Sequence, residues 1–456
     1  MLHRPAGRQR LACTGSLVVI AARSLLLWAA MAGPVVDASQ GASCSCDAIL
    51  RFGFPDLCQL RATEDSITVR GLRLTYWRYR AAPARSSVAD AGRGLPIVVV
   101  HGGPAWGHDY MLPLKQQACR GREVVFYDQV GCGASAVPSD PRRTAPWLFT
   151  VDYYVEELQL LVGALGWQAF HFLGNSWGTI VGQAYALTRD PRLRGIVLSG
   201  PVSDAQLYIR SQWDPEMGSL GSLPLYMQHL IHQLEASREY DTPTYAAVDA
   251  VLGSYFTSRT TPVPDCLQAS LARLGVNTSK EIYVGMQGAS EFTIGGVLAT
   301  MNLSGRLPHI ANPVLLTYGK YDTMRPATVN ALYRNLPRAW KASMPHSGHA
   351  TMLDDPKLMN DVVGEFFDRV EDGGLATLHE WISGSGAAVA ESLSGVPAVS
   401  QQRFTNGLVP LAGAHSVLLL LVGVVAGAAL GPRIFKGHRI LSAGASRLGE
   451  PLARSG

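Results

Sequence analysis

Charged residues are scarce in this sequence of 456 residues. Only 16% of them are Asp, Glu, Lys or Arg, whereas 47% are hydrophobic, and an average soluble domain carries about 25% charged residues. Disordered chains combine high charge with low hydrophobicity, so this composition argues against extended disorder. Lys/Arg-rich runs with interleaved aromatic residues are missing from the middle of the chain, which argues against a nucleic-acid-binding surface.

Acidic residues are absent from residues 1–36, where the net charge is +4, and residues 432–456 carry another +4. Since the whole chain has a net charge of +4, the remaining residues are mildly acidic, at −4. In the N-terminal segment, the basic stretch is followed by an uncharged run at residues 24–36 and then by small residues. This order predicts a signal peptide or signal anchor in residues 1–40. An organelle transit segment is the alternative, because the segment contains Arg and no acid.

Charged side chains are absent again from residues 404–432. The segment 417–430 is wholly apolar, and with residues 408–416 it is long enough to cross a hydrocarbon core about 30 Å thick. We predict a transmembrane helix over residues 408–431 and a basic cytoplasmic tail over residues 432–456, in keeping with the positive-inside rule. A buried core helix is the alternative.

Residues 373–407 are rich in Gly, Ala and Ser, which predicts a flexible stalk between the folded domain and the membrane. The domain before the stalk would then lie on the luminal or extracellular side of a single-pass membrane protein of the secretory pathway.

Cysteines are few, and their spacing does not suit a metal site. Cys44 and Cys46 are too close for a zinc-binding pair, and no second pair follows. The number left after the predicted signal is even, which permits disulfides without giving their pairing. Asn277-Thr-Ser and Asn302-Leu-Ser are glycosylation sequons, consistent with a luminal domain. The remaining cysteines are Cys44, Cys46, Cys58, Cys119, Cys132 and Cys266.

The folded part is predicted to span residues 44–372. Residues 66–79 alternate between apolar and polar, as an antiparallel pair of strands does. Short apolar runs follow, as expected for strands buried on both faces, and a helical stripe in residues 151–165 lies between two of them. This alternation predicts a mostly parallel sheet with helices on both faces. The apolar runs occupy residues 95–101, 123–128, 170–174, 195–199 and 313–318.

The strand pattern stops between residues 202 and 300, where three segments have helical patterns separated by Gly, Pro, Ser and Thr. We interpret residues 204–300 as a helical cap. It is inserted between two parts of an α/β core, residues 44–203 and 301–372.

Gly174-Asn175-Ser176-Trp177-Gly178 lies between a predicted buried strand and a predicted helix. A G-x-S-x-G sequence in this context is the nucleophile elbow of α/β-hydrolases. Its glycines relieve crowding in the sharp turn, and the helix N-terminus favours developing negative charge. We therefore predict an α/β-hydrolase fold, with a mostly parallel sheet and an inserted helical cap, and Ser176 as the nucleophile.

A serine hydroxyl needs a base to accept its proton, and in this fold the acid and then the histidine follow the serine along the chain. Asp322 comes just after the apolar run at residues 313–318, and His349 follows Gly348. We predict that Asp322 orients the imidazole and that His349 acts as base and then as acid. His346 is the alternative; His349 is preferred because Gly348 permits a tight loop.

The tetrahedral intermediate requires two backbone N–H donors. One is predicted to be Trp177, the residue after the nucleophile. The other belongs to the loop at residues 101–105, where adjacent glycines let the backbone approach the substrate closely. Gly103 is the predicted donor and Gly102 the alternative, and Gly102 is also expected to contribute to the substrate site.

Five motifs stand in order along the chain: H-G-G-P at residues 101–104, D-Q-x-G-x-G-x-S at 128–135, G-x-S-W-G at 174–178, G-x-x-D at 319–322 and S-G-H at 347–349. Residues 283–292 end in Ser-Glu-Phe and are similar to a cap motif ending in N-E-F. In this combination the chain resembles the proline iminopeptidase family of α/β-hydrolases, which includes prolyl aminopeptidases and the archaeal tricorn-interacting aminopeptidases. The resemblance extends over residues 66–370.

The resemblance implies a serine aminopeptidase that releases an N-terminal residue, typically proline, from short peptides, without a cofactor or metal. In that family, cap glutamates bind the free amino group of the substrate. By its place in the cap motif, Glu291 matches one of them, and Asp249 lies in the region of the second. A carboxylate there is consistent with the need of an enclosed ammonium group for a charged partner. Ala105, Thr179 and Ser290 stand where the family has Gly, Gly and Asn, which weakens the implication of strict proline specificity.

Other functions are open on the same fold. An esterase or lipase would use the same triad, and the cap would decide the shape of its substrate. A cell-surface binding protein on an inactive scaffold is a non-enzymatic alternative, which an intact triad disfavours. Epoxide hydrolases and dehalogenases use Asp as nucleophile, so Ser176 argues against them.

Overall fold

The computed structural model describes residues 46–54, 58–82, 94–135, 137, 139–274 and 277–385. The predicted signal at residues 1–40, the predicted transmembrane helix at 408–431 and the predicted tail at 432–456 lie outside these residues. Within the described ranges, no helix combines the length and the apolar character needed to cross a bilayer.

A single twisted sheet organises the domain. Its strand order is β1-β2-β4-β3-β5-β6-β7-β8 in the labels given at the end of this paragraph. The first two strands form an antiparallel hairpin and the second is antiparallel to the fourth, whereas all other neighbours are parallel. The predicted mostly parallel sheet is therefore confirmed. The strands are β1 (Leu60–Val69), β2 (Leu72–Ala81), β3 (Ile97–Val100), β4 (Val124–Tyr127), β5 (Phe170–Asn175), β6 (Leu193–Ser199), β7 (Val314–Gly319) and β8 (Ala339–Met344).

The apolar runs of the sequence became the central strands. All residues of β3, β4, β5 and β7 are buried, because helices cover both faces of a parallel sheet. The predicted strand pair is the β1–β2 hairpin, whose turn residues Arg70 and Gly71 both have positive φ, at 49° and 82°, as a two-residue I′ turn requires. Strand β8 was not predicted, because Lys341 and Ser343 interrupt its apolar pattern at the edge of the sheet.

Helices fill the two sides of this sheet. The predicted stripe at residues 151–165 is a helix with the same bounds; Thr150 accepts a hydrogen bond from the Tyr153 N–H at its start, and Gly166 ends it at φ 69°. The helices are α1 (Asp47–Gly53), α2 (Pro141–Thr144), α3 (Val151–Leu165), α4 (Trp177–Ala186), α5 (Ala205–Gln212), α6 (Leu225–Ser237), α7 (Pro243–Leu252), α8 (Asp265–Leu274), α9 (Asn277–Met286), α10 (Pro326–Asn335), α11 (Thr351–Asp354), α12 (Pro356–Asp372) and α13 (Leu378–Gly384).

The insertion between β6 and β7 is helical, as predicted, but only part of it has a core of its own. Helices α6 and α7 pack around Ile231, Leu234 and Val248. Helix α8 instead places Cys266 and Leu267 in a core cluster of the main domain. The cap is therefore a small two-helix body flanked by helices that belong to the hydrolase core.

Two disulfides resolve the pairing that the sequence left open. Cys46 is bonded to Cys266 and Cys58 to Cys119, with Cα–Cα distances of 5.4 and 5.8 Å. Both tie the N-terminal segment to later parts of the domain. Cys132 is a buried free thiol.

The folded domain extends beyond the predicted start of the stalk at residue 373. Gly373 ends α12 at φ 78°, and α13 then buries Leu378 and Ile382 in the core. These two side chains lie four residues apart, on one face of a helix. The composition of residues 373–407 concealed this short amphipathic segment, so the boundary of the folded part is corrected to at least Ser385.

Candidate active site

Ser176 occupies the sharp turn between β5 and α4. Its φ and ψ are 54° and −119°, a strained conformation for a residue with a side chain. The turn brings backbones into close contact: a Cβ atom on Gly174 would lie 2.5 Å from Gly178 O, and one on Gly178 would lie 2.4 Å from Val100 O. The glycines of G-x-S-x-G are thus required by packing, and they lift Ser176 to the mouth of a pocket.

Asp322 and His349 come from loops after β7 and β8 and meet beside this turn. Nδ1 of His349 lies 2.7 Å from Oδ1 of Asp322, which also accepts a hydrogen bond from the Met324 N–H at 2.8 Å. Burial alone would lower the pKa of His349, but the charge and hydrogen bond of Asp322 outweigh it and raise that pKa above 6.5. His349 lines the pocket with Ser176, whereas His346 is exposed and does not.

The Ser176 hydroxyl makes no hydrogen bond to His349 in the described structure, and such contacts often tighten only around a bound substrate. The structure thus brings the three predicted residues to one site, and their catalytic roles stay predictions.

The loop after β3 supplies one predicted oxyanion donor. Gly103 has φ 108° and lines the pocket with Trp177, whose amide lies in the first turn of α4, where N–H groups lack intrahelical acceptors. The Gly102 N–H is already bonded to the Tyr110 hydroxyl at 2.8 Å, and Gly102 does not line the pocket. The structure therefore does not support Gly102 as a donor or as a substrate-binding residue.

Two cap carboxylates, Asp249 on α7 and Glu291 after α9, line the same pocket as Ser176. The Tyr283 hydroxyl donates to Glu291 Oε2 at 2.7 Å, and the Glu291 N–H donates to the Tyr245 hydroxyl at 2.7 Å. Glu291 is exposed and Asp249 is half-buried, and since both line the pocket, their carboxylates are open to a ligand.

The charge of Glu291 acts on Asp249. Burial raises the pKa of Asp249, and the charge of Glu291 raises it further. Burial also raises the pKa of Glu291, against a smaller opposing effect of the Tyr283 hydrogen bond. Because two carboxylates at one site disfavour each other's ionisation, a cation between them would stabilise both charged forms.

The pocket has a volume of about 150 Å³, and the rest of its lining is mainly apolar. This character suits a compact apolar side chain placed between the carboxylates and the nucleophile. The apolar lining includes Trp106, Ile180, Tyr208, Phe292, Leu298 and Met324.

Known proteins are similar to this chain in sequence and in fold. The alpha/beta hydrolase fold family matches residues 96–356. A proline iminopeptidase of Heyndrickxia coagulans is 31% identical over 308 residues, which cover 68% of this chain and 99% of that protein. The chain belongs to the proline iminopeptidase family of α/β-hydrolases.

Further relatives agree with this placement. A proline iminopeptidase of Saccharolobus solfataricus is 29% identical over 302 residues, 66% of this chain and 90% of that protein. The crystal structure of a proline iminopeptidase from Mycobacterium smegmatis has the same fold, with a TM-score of 0.60 at 24% identity over 68% of this chain and 99% of that one. The predicted family is confirmed, and the protein is an enzyme of the serine hydrolase class.

Three departures from the family motifs have visible consequences. Ala105 adopts φ 66°, a conformation that suits the glycine it replaces. The Thr179 hydroxyl donates to Ser176 O at 2.6 Å, so it braces the elbow. Ser290 donates to Glu235 at 2.6 Å and accepts from the Phe292 N–H at 3.0 Å, which orders the chain on either side of Glu291.

The family motif at residues 128–135 has a structural role that sequence reasoning did not assign. The Gln129 side chain donates to His101 O at 3.0 Å and accepts from the Trp177 indole N–H at 2.8 Å, so it joins the two oxyanion segments. Asp128 accepts from His108 and Arg273 at 2.8 and 2.7 Å. Although burial raises the pKa of Asp128, its interactions with His108 and Arg273 outweigh that effect and lower the pKa.

Two groups among the described residues hold metal-ligand atom types close together, but their atoms are already engaged. In one group the two cysteines form a disulfide. In the other, Asp128 is paired with Arg273, and the His101 ring accepts from the Gln129 N–H at 3.1 Å. Neither therefore offers a free set of ligands. The groups are Cys46, Asp265 and Cys266, and His101, Asp128 and Cys132.

Proposed function

We propose that this protein is a serine aminopeptidase that releases an N-terminal residue, preferentially proline, from short peptides. The observation that carries the proposal is the pair Asp249 and Glu291, which lines the same pocket as Ser176 and His349. Two acids at one pocket suit a substrate with a free amino group, because an ammonium ion relieves their mutual repulsion. The relatives named proline iminopeptidases support the choice of proline.

The chemistry follows from the proposed roles. His349 accepts the Ser176 proton as the hydroxyl attacks the first carbonyl carbon of the peptide, and the Gly103 and Trp177 amides stabilise the oxyanion. His349 then gives that proton to the leaving amine, which frees the shortened peptide and leaves an acyl-enzyme. Water, activated by His349, hydrolyses the ester and releases the amino acid. Asp322 stabilises the imidazolium at both steps.

Glu291→Gln and Asp249→Asn test recognition of the amino group. Loss of one partner of a buried charged contact costs about 2–5 kcal/mol, so we expect kcat/KM for a prolyl amide to fall at least about 30-fold. Both variants should hydrolyse an acyl ester without an amino group at the wild-type rate. Ser176→Ala should abolish both reactions.

An equal loss on both substrates, or no loss on either, would contradict this proposal. Wild-type hydrolysis of the ester alone, with every aminoacyl amide untouched, would instead favour the esterase or lipase alternative.

We further propose that the domain lies on the luminal or extracellular side of a membrane, anchored through residues 408–431. Two disulfides in the described part of the chain support an oxidising compartment. Protease protection of intact cells or microsomes that express the full chain tests this placement. Digestion of the domain by a protease that reaches only the cytosolic face of the membrane would contradict it.

A further inference from the structure

The segment that leaves the cap passes directly beside the proposed base. After α7, residues 253–257 form a wide helical turn. The His349 N–H donates to Phe256 O at 2.7 Å, and the Ala350 N–H donates to Thr257 O at 2.8 Å. A Cβ atom on Gly348 would lie 2.5 Å from Phe256 O, which shows how closely the two segments pack. The backbone of residues 345–350, the histidine loop, is thus hydrogen-bonded to the cap.

One carboxylate, Asp354, joins the same two segments. Its Oδ1 accepts hydrogen bonds from Ser258 Oγ at 3.0 Å, the Arg259 N–H at 2.8 Å, and the Thr260 N–H and Oγ1 at 3.0 and 2.9 Å. Its Oδ2 accepts from the Gly348 N–H at 2.8 Å. Hydrogen bonds to an ionised acceptor are stronger than those between neutral groups, so a single side chain holds the cap exit, residues 258–260, against the histidine loop.

The cap exit also contacts the loop of the orienting acid. The Arg259 guanidinium lies 3.8 Å from the ring centre of Tyr321, the residue before Asp322, and 4.9 Å from that of Tyr255. Cation–π contacts of this kind attract the two segments. Asp249 lies on α7, which runs straight into the turn at residues 253–257. The proposed amine site and both catalytic loops therefore meet on one stretch of chain.

We propose that Asp354 is a positioning residue, which anchors the cap exit to the histidine loop and so holds His349 where it accepts the Ser176 proton. Asp354 does not line the pocket, so it acts through His349 and not on the substrate. The inference rests on the proposed role of His349 as base, and it adds to that role a residue that none of the family motifs contains.

Asp354→Asn tests the anchor. The amide keeps one oxygen for the cap exit, but its NH₂ group cannot accept the Gly348 N–H. Since a misplacement of about 1 Å can lower a rate about 10²-fold, we expect kcat for a prolyl amide to fall about ten- to 100-fold with KM nearly unchanged. Asp354→Glu retains the charge and should recover part of that loss.

Asp355→Asn is the matched control. Asp355 accepts a hydrogen bond from the Leu358 N–H at 3.1 Å and so caps α12. Because Asn is an equally good N-cap residue, this variant should keep the wild-type kcat. Circular dichroism during heating checks that all variants are folded at the assay temperature.

The rate at which a fluorophosphonate labels Ser176 is the second readout, since it depends on the base but not on an amino group. Slower labelling of Asp354→Asn, in proportion to its kcat, supports the proposal. Unchanged kcat and labelling would overturn it, as would a change confined to KM or a loss of activity that matches a loss of folded protein. Normal wild-type labelling without prolyl amide hydrolysis would overturn the proposed function alone.

Discussion

Gly200 packs against the imidazole of His349, and one added methyl group should disable the site. A Cβ atom at this position would lie 2.5 Å from His349 Cε1 and 2.6 Å from its Nδ1. Carbon atoms in contact are about 3.5–4.0 Å apart, so the imidazole of Gly200→Ala has to move by about 1 Å. This displacement strains the 2.7 Å bond to Asp322. A misplacement of that size lowers a rate about 10²-fold, and we expect a loss of kcat of this order.

Gly166 offers a control with the same backbone conformation. Its φ is 69°, against 57° at Gly200, and an added Cβ atom would meet nothing within 4 Å. Each alanine variant should lose about 1–2 kcal/mol in the free energy of unfolding, the penalty of a left-handed residue, as measured by denaturant titration. Only Gly200→Ala should also lose prolyl amide hydrolysis and fluorophosphonate labelling. If it keeps most of its kcat, or if Gly166→Ala loses as much, the packing argument is refuted.

Two further outcomes follow from the same site. Because Asp322 raises the pKa of His349 above 6.5 and the base must be neutral, the labelling rate of Ser176 should rise with pH through a midpoint above 6.5; a midpoint below 6.5 would contradict this. Protonated His349 stabilises the folded state, and this contribution falls as the labelling rate rises. It is fully present below the unfolded pKa and is lost as the pH rises through the higher folded pKa. Ala105→Gly should raise the free energy of unfolding by about 1 kcal/mol, because Ala105 has φ 66°, and it should leave kcat intact; a less stable variant in denaturant titration would contradict the strain argument.

Much of the fold could be predicted from local patterns. The buried strands β3 to β7 appeared as apolar runs because a parallel sheet covered on both faces accepts little else. Helix α3 was predicted from its apolar stripe, and its ends agree because Thr150 and Gly166 cap the helix there. Strand β8 and helix α13 were not predicted, because their periodic patterns are weak. Strand β8 is an edge strand interrupted by Lys341, and α13 is a two-turn helix in a Gly-rich segment.

The candidate site could likewise be predicted only in part. Ser176, Asp322 and His349 could be proposed because the nucleophile elbow and the chain order of the triad are local features. The occupied amide of Gly102 could not be predicted, because the Tyr110 hydroxyl that it binds is itself held by Asn175 at the end of β5. Gln129 had a signal in the motif at residues 128–135, but its contacts to His101 and Trp177 join separate strands. Asp354 had none, since its partners at residues 258–260 lie more than 90 positions away in the sequence.

The sequence by itself determined the fold class and the family and predicted the nucleophile, because these depend on periodicity and on motifs whose residues are neighbours in the chain. Tertiary structure alone decided which cysteines pair and how Asp249 comes to share a pocket with Glu291. Those outcomes depend on contacts between segments that are distant in sequence. The hydrogen bonds between the segment after α7 and residues 348–350 are contacts of the same kind.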